Sequence, residues 1–455
     1  MPPEIHRPVL LTGLEGYPRI ASGAVPLAHR AVKDVWRRAG LDPENPFREW
    51  IEPGMRVLVK PNWVRHAADG WSTSEALTTH PSIIRPVVDA VGSALLGKSG
   101  KMEGEIILAD APLQSADFPR LLDQCGIPQL MEHWSSFGTK VRLVDLRRTL
   151  ANTDESTGVV ASTEESAGDP RGDTVVDLGC ASRLETLPLR SSGLGVSNYD
   201  TSVTTLHHRN GRHCYRIANS LLDSDVVVNL PKWKTHVKTG VTGALKNFIG
   251  VNCDKSYLPH FRVGSPQKGG DEYPNSVAGA LLARIRPWFE RVMPDEVIRK
   301  VRRSLLSTSQ RSSAPLIFGG AWPGNDTLWR TVHDMVFIAR WLGHDGLRRS
   351  SPRPVLTLMD AIIAGEGDGP LRPEAREMGC LLFGTDPGQI DAWAAALSGF
   401  NWQKIPVLSH LADLEAVAIS TVDRDIALPS SLIALKAPAS WCQVLAIKES
   451  LYEAA

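Results

Sequence analysis

The sequence predicts an α/β fold: a mostly parallel sheet flanked by helices, arranged as two lobes around a cleft. Three observations carry that expectation. Short apolar runs of strand length recur along the chain, and such runs suit strands buried on both faces. Helical apolar spacing lies between them, and strand–helix alternation makes a parallel sheet covered by helices. Each run ends in polar residues in the same manner, and in open parallel sheets ligands bind beyond the carboxyl ends of the strands.

In chain order, the run 57–59 (VLV) ends in Lys60-Pro61-Asn62. Residues 81–96 then place Ile83, Ile84, Val87, Val88, Val91 and Leu95 at helical spacing, with His80 at the helix start as either a structural or a catalytic residue. The run 106–109 ends in Asp110-Ala111-Pro112. Residues 151–196, rich in Ser, Thr, Gly and Asp, read as a long excursion or flap. Residues 204–217 read as a hairpin, because Asn210-Gly211 is a type I′ turn signal. That register sets His208 opposite His213, as a metal pair or a solvated tip. The run 226–228 ends in Asn229-Leu230-Pro231-Lys232, and residues 255–315, with Arg-rich helical text at 280–306, read as an insertion covering the site. The run 355–359 ends in Asp360, and 381–383 in Gly384-Thr385-Asp386. A helix over 389–397 follows, its start flanked by Asp386 and Asp391, with Asp386 as its cap. The expected segments are 1–150, 151–200, 201–255, 256–350 and 351–455.

Of 455 residues, 42% are hydrophobic, enough for a sizeable core, and 50 Lys plus Arg balance 50 Asp plus Glu. No global field therefore points to nucleic acid or an anionic membrane. No apolar run approaches the ~20 residues that span a bilayer. The start MPPEIHRPVLL lacks the basic and apolar regions of a signal peptide. A soluble, cytoplasmic protein is expected, with no nucleic-acid or membrane partner and a homo-oligomer left open. None of the six cysteines forms a C-x-x-C pair, so they read as buried or free thiols and an iron–sulfur cluster is not expected.

The densest chemistry lies in 230–250, LPKWKTHVKTGVTGALKNFIG, with Lys232, Lys234, Lys238, Lys246 and His236 among three glycines. Thr242 reads as an N-cap. Lys246 in the first helical turn opposes the helix dipole, which suggests an anionic partner. Lys60, Asn62, Lys232, Lys234, Thr242 and Asn247 are the candidate anion binders. His236 is the candidate general acid or base, since its ordinary pKa of about 6.5 suits neutral pH. Lysines on a solvated loop are the plainer alternative. In 324–330, GNDTLWR, Asn325 and Asp326 suit a hard cation or sugar hydroxyls, with Asn325 and Arg330 as candidate substrate binders, or else the segment is a turn in which Asp326 or Thr327 caps a helix beginning near Leu328. Asp360, Glu366 and Asp368, on glycine-rich backbone after a strand, suit a divalent metal or acid–base work. Asp110 is a further candidate metal ligand, and Asp271-Glu272 after two glycines is a weaker pattern.

These stretches resemble the bacterial and archaeal domain of unknown function 362 family. The resemblance rests on VLVKPNWV (57–64), TTHP (78–81), ILADAP (107–112), NYD (198–200), 226–250, GEGDGP (365–370) and FGTDPGQIDAWAAALSGF (383–400). The GNDTLWR stretch resembles a subgroup carrying that insertion. Many members have a ferredoxin-like cluster segment whose cysteines this chain lacks. The chain is more distantly similar to the nickel-pincer lactate racemase family, in which a histidine precedes by ten positions a lysine that carries the cofactor. His236 and Lys246 have that separation, and the resemblance implies a shared fold and site location.

The expected function is that of an enzyme acting on a small anionic metabolite with a divalent metal or nucleotide cofactor. Racemisation or epimerisation next to a carboxylate is the suggested chemistry. Two alternatives stand beside it: a metal-dependent redox or tailoring enzyme in secondary-metabolite or polysaccharide biosynthesis, and a non-catalytic protein binding a phosphate or sugar ligand.

Overall fold

A sheet of nine strands organises the computed structural model, which describes residues 5, 7–17, 27–67, 74–153, 160–187, 193–197, 199, 201–293, 297, 319–411 and 434–445. The strands are β1 (Val9–Leu11), β2 (Arg56–Pro61), β3 (Glu105–Asp110), β4 (Val141–Asp145), β5 (Val226–Leu230), β6 (Lys232–His236), β7 (Gly240–Thr242), β8 (Val355–Glu366) and β9 (Glu374–Gly384). Their main order is β1-β9-β8-β5-β2-β3-β4. From β8 to β4 every neighbour is parallel, while β9 and β1 add an antiparallel edge. After Pro231 the chain continues from β5 into β6, which pairs parallel with the later part of β8 and folds back antiparallel onto β7. All five apolar runs fall in strands, and the mostly parallel sheet flanked by helices is the architecture their alternation implies.

Side chains alternate between the two faces of a strand, and each face feeds its own core. Val57, Val59, Ile106, Leu108, Val226 and Val228 pack with Ile83, Ile84, Val87, Val88 and Val91 of the helix Pro81–Ala94. Leu58, Ile107, Ala109 and Val227 belong to the second cluster, with the helices Leu328–Trp341 and Pro387–Leu397. Each fully buried Val, Leu or Ile contributes roughly 1.5–3 kcal/mol. Local signals set the helix starts. His80 Nδ1 accepts from the Ser82 amide at 3.2 Å, and Asp386 accepts from Gly388 and Gln389 at 2.8 and 3.1 Å.

Residues 204–217 do not form a hairpin. Thr201–His207 is helical, and Cys214–Ala218 is a strand paired with Asp173–Asp177. Asn210 (φ 56°) and Gly211 (φ 73°) do form the tight turn, but it joins a helix to a strand. Two left-handed residues reverse the chain whatever flanks them. His208 and His213 still meet, with rings 5.8 Å apart. Both are buried rather than solvated, and they are bonded separately to the Tyr257 carbonyl and to Glu185. In the expected excursion, Thr149–Thr153 pairs with Val160–Glu165. Asn198 and Asp200 of the NYD stretch lie outside the described residues, as does most of 280–306 beyond the helix Val277–Val292. The cysteines are free thiols, four of them buried. No helix among the described residues is long and apolar enough to cross a membrane.

The expected cap of the 244–247 helix is also corrected. Thr242 lies in β7, its hydroxyl buried without a hydrogen-bond partner, and Gly243 occupies the cap position. The cap comes from far along the chain: the Asp391 carboxylate accepts from the Ala244 and Leu245 amides at 2.6 and 3.0 Å. A Cβ on Gly243 would collide with that carboxylate. Gly243→Ala is therefore expected to cost about 1–3 kcal/mol in urea unfolding, the usual range for overpacking. In an Asp391→Ala background, where the space is vacated, it should cost much less. Equal costs in the two backgrounds would contradict this packing.

Candidate functional site

Two buried lysine–aspartate pairs lie in the sheet, one at the carboxyl ends of β2 and β3, the other where β6 begins beside the middle of β8. Lys60 and Asp110 end the adjacent strands β2 and β3, and Lys60 Nζ lies 2.7 Å from Asp110 Oδ1. The ammonium also donates to the Pro61 carbonyl at 2.8 Å and to Asn247 Oδ1 at 3.3 Å. The other Asp110 oxygen accepts from the Trp63 amide at 2.6 Å. Burial raises the Asp110 pKa against the pull of Lys60, and burial lowers that of Lys60. Asp110 is thus a counterion rather than a metal ligand. Asn247 donates to the Lys60 carbonyl (3.1 Å) and to Asn229 (2.8 Å), and accepts from Asn62 (3.1 Å). It stitches β2 to β5 and is a scaffold residue. A Cβ on Gly250 would collide with the Lys60–Asp110 pair, which explains the last glycine of the motif.

The second pair joins β6 to β8. Lys232 Nζ is 3.2 Å from Asp360 Oδ2, and both side chains are wholly buried. The Tyr17 hydroxyl donates to Asp360 and accepts from Lys232, while the His80 amide donates to Asp360 at 3.0 Å. The Tyr17 and His80 rings stack at 3.8 Å. Burial, then the Asp360 charge, pushes the Tyr17 phenol well up. Burial brings His80 down to about 4, so it is a neutral capping residue at pH 7. Nothing local in the sequence marked Tyr17, which arrives from the N-terminal segment.

Beyond these pairs lie amines without carboxylate partners. Lys234 Nζ donates to Asn62 Oδ1 and to the Leu77 carbonyl, both at 2.6 Å and both neutral. Lys238 reaches Ser197 Oγ at 2.6 Å and sits 5.6 Å over the Phe261 ring. Lys255 donates to the Ala111 carbonyl at 2.9 Å. For Lys246, partly buried on the 244–247 turn, the described residues supply no hydrogen bond or ion pair. Burial is the main cause of every shift that follows. It lowers Lys234 far below its ordinary value, helped by Lys232 and Lys246. It brings Lys246 to about 7, with repulsion from Lys238 and Lys255, and Lys238 and Lys255 each to about 8.

Two histidines share this region. His236 Nδ1 accepts from the Lys238 and Thr239 amides at 2.9 and 3.3 Å, so its ring proton sits on Nε2. Burial, followed by Lys246 and Lys238, holds its pKa far below 6.5. His236 is therefore a neutral N–H donor, and the general-base role expected from its ordinary pKa does not suit this tautomer. His260, absent from the sequence reading, has the opposite arrangement. Its Nδ1 donates to the Leu258 carbonyl at 2.6 Å, leaving the Nε2 lone pair available.

The remaining candidates do not converge. Glu366 accepts from the Lys436 amide at 2.8 Å, and exposed Asp368 accepts from that of Ala439 at 3.3 Å. The two loops meet where Thr235 Oγ1 donates to the Gly367 carbonyl (2.7 Å) and the Val237 amide to that of Gly369 (3.0 Å). Asp360, Glu366 and Asp368 therefore do not share a cation. Asn325 Oδ1 caps the Leu328–Trp341 helix through the Thr327 and Leu328 amides, both at 3.0 Å. Asp326 pairs with Arg330 at 3.1 Å. That segment is structural. Among the described residues no three His, Cys, Asp or Glu side chains are grouped to hold a metal, and His236 presents a donor rather than a free lone pair. The helix N-terminus expected to hold an anion has its amides taken by Asp391.

The model of the family described as Domain of unknown function (DUF362) matches residues 57–153 and 143–396. No curated protein matches. A solved structure from Thermotoga maritima, described only as a structural-genomics target, is similar at 10% identity over 78% of this chain, with a TM-score of 0.29. The match spans 56% of that protein's length.

In the unfolded chain lysines hold their protons to about pH 10. In the native state Lys246 releases its proton near 7, and Lys238 and Lys255 near 8. Between pH 7 and 9 the unfolded state thus binds more protons, and stability of the ligand-free protein should rise with pH. Each such lysine adds up to about 1.4 kcal/mol per pH unit. Urea midpoints at pH 7 and 9 check this, and a midpoint that falls over the window would refute the burial of these charges.

Proposed function

We propose that this chain, which belongs to the domain of unknown function 362 family, is an enzyme that seats a small anionic metabolite at the strand tips and moves a proton with Lys246. One observation carries the reading: the Lys246 amine has no partner among the described residues and is brought to about pH 7 by burial, Lys238 and Lys255. A general base works best with a pKa near the operating pH, and an ordinary lysine is fully charged there. Lys246 would take the proton. His236 Nε2–H and the amines of Lys234 and Lys238 would donate toward the negative charge that develops on the substrate.

Proton removal next to a carboxylate, as in racemisation or epimerisation, is the reaction class this arrangement favours, because the resulting enediolate needs such donors. A metal-assisted redox or tailoring reaction draws no support from the dispersed carboxylates. A binding protein without turnover would use its lysines as charged counterions and has no use for an unpaired amine that is half neutral at pH 7.

Competitive acetylation with peptide mapping across pH 5–11 tests the assignment. Lys246 labelling should titrate near pH 7, about three units below the ordinary value of ~10.4. Titration of Lys246 near 10 would leave the base without its defining property.

A further inference from the structure

We infer that the substrate held at this site carries a phosphoryl group, as a diphosphate or phosphate ester, besides the carboxylate next to which the proton is moved. This rests on the reading of the strand tips as a substrate site and names the class of substrate.

Positive groups outnumber their counterions at this site. Six lysines are gathered here: Lys60, Lys232, Lys234, Lys238, Lys246 and Lys255. Only two have a carboxylate within ion-pair distance among the described residues, Lys60 with Asp110 and Lys232 with Asp360. The other four touch neutral oxygens or nothing. Lys234 and Lys255 are buried, yet among the described residues no carboxylate lies within ion-pair distance of either; Asp110, already paired with Lys60, acts on both from farther off. Glu272 and Asp271 act on Lys238, but Asp271 is held by Arg262, Thr327 and the Asp326 amide, and Glu272 accepts from the Gly264 amide.

These amines act on one another. Lys234 feels Lys232, Lys246 and Lys60, and Lys246 feels Lys238 and Lys255. The unpaired amines thus form one positive region rather than four separate sites. A single carboxylate brings one charge to it. A phosphate ester or diphosphate brings two or three on closely spaced oxygens, which suits several amines at once.

The residue type points the same way. Carboxylates are commonly gripped by the planar fork of arginine, whereas lysine serves phosphates as a point charge. The cations that act on Lys234 and Lys246 are all lysines.

The test uses the full chain, with inorganic pyrophosphate as the probe and acetate and citrate as controls at matched ionic strength, by calorimetry and thermal unfolding at pH 6.5 and 9. Pyrophosphate should bind and stabilise the protein at pH 6.5 and lose most of that effect at pH 9, where the amines are neutral. Lys246→Met removes no hydrogen-bond partner from the fold, so the ligand-free variant should be at least as stable as the wild type at pH 6.5. It should bind pyrophosphate about tenfold more weakly or worse, the loss expected for one charged hydrogen bond. Pyrophosphate acting no more strongly than acetate, or citrate matching it, would overturn the phosphoryl assignment. Lys246 labelling near pH 7 without pyrophosphate binding would overturn this inference alone. Pyrophosphate binding with Lys246 labelling near pH 10 would support it and remove the base instead.

Discussion

Lys60 carries a positive charge to a place water does not reach, and Asp110 is what makes that tolerable. The two side chains end neighbouring strands, so their pairing fixes how the tips of β2 and β3 sit against each other. An isolated buried ammonium is costly, and removing one member of such a pair typically destabilises a protein by about 3–5 kcal/mol. Other features of the site follow from that node. Gly250 must lack a side chain because the pair fills its space, and Asn247 must reach both Lys60 and Asn229 to hold β2 and β5 in register with the turn. The motif lysine, Lys246, is placed by the same turn.

Lys232 repeats the device one strand further along, with Asp360 and Tyr17 as its partners. Beyond these two pairs the device stops. Lys234, Lys238, Lys246 and Lys255 are buried or partly buried without carboxylates in contact. A protein that pairs two lysines this closely and leaves four without a carboxylate in contact among the described residues has a boundary between scaffold and site. The paired lysines belong to the scaffold, and the unpaired ones carry a strain that a ligand or deprotonation must relieve.

What the sequence made legible was whatever neighbours in the chain decide. The runs ending at Lys60, Asp110, Lys232 and Asp360 were readable as strands, and Asp386 as a cap, because both signals span only a few residues. The meeting of Lys60 with Asp110 was readable as well, since parallel neighbours bring their carboxyl ends to one side, whereas Lys232 opens β6 and Asp360 lies in the middle of β8. Contacts across long sequence separations were not readable. Tyr17 reaches Asp360, Asp391 reaches Ala244, and His260 and Lys255 join the lysines from a segment read as a covering insertion. Local logic also failed where two outcomes share one signal. Asn210-Gly211 turns the chain between a helix and a strand as readily as between two strands. Glu366 and Asp368 suit a cation by spacing, but they spend their oxygens on backbone amides of Lys436 and Ala439.

The Asp391 cap decides how any anion can be bound. Glycine-rich turns into helices commonly offer free amides to phosphate, and 240–250 reads like one. Here the first amides are already taken by a carboxylate that burial raises to about 7. A second anion at the same spot would face that carboxylate directly. Binding must therefore come from side chains, and the side chains the turn presents are lysines. This separates two roles that a phosphate-binding loop usually merges: Asp391 and Gly243 hold the backbone in place, and Lys246 and its neighbours supply the charge. It follows that the charge that binds the anion can change with pH, which a site built from amides does not allow.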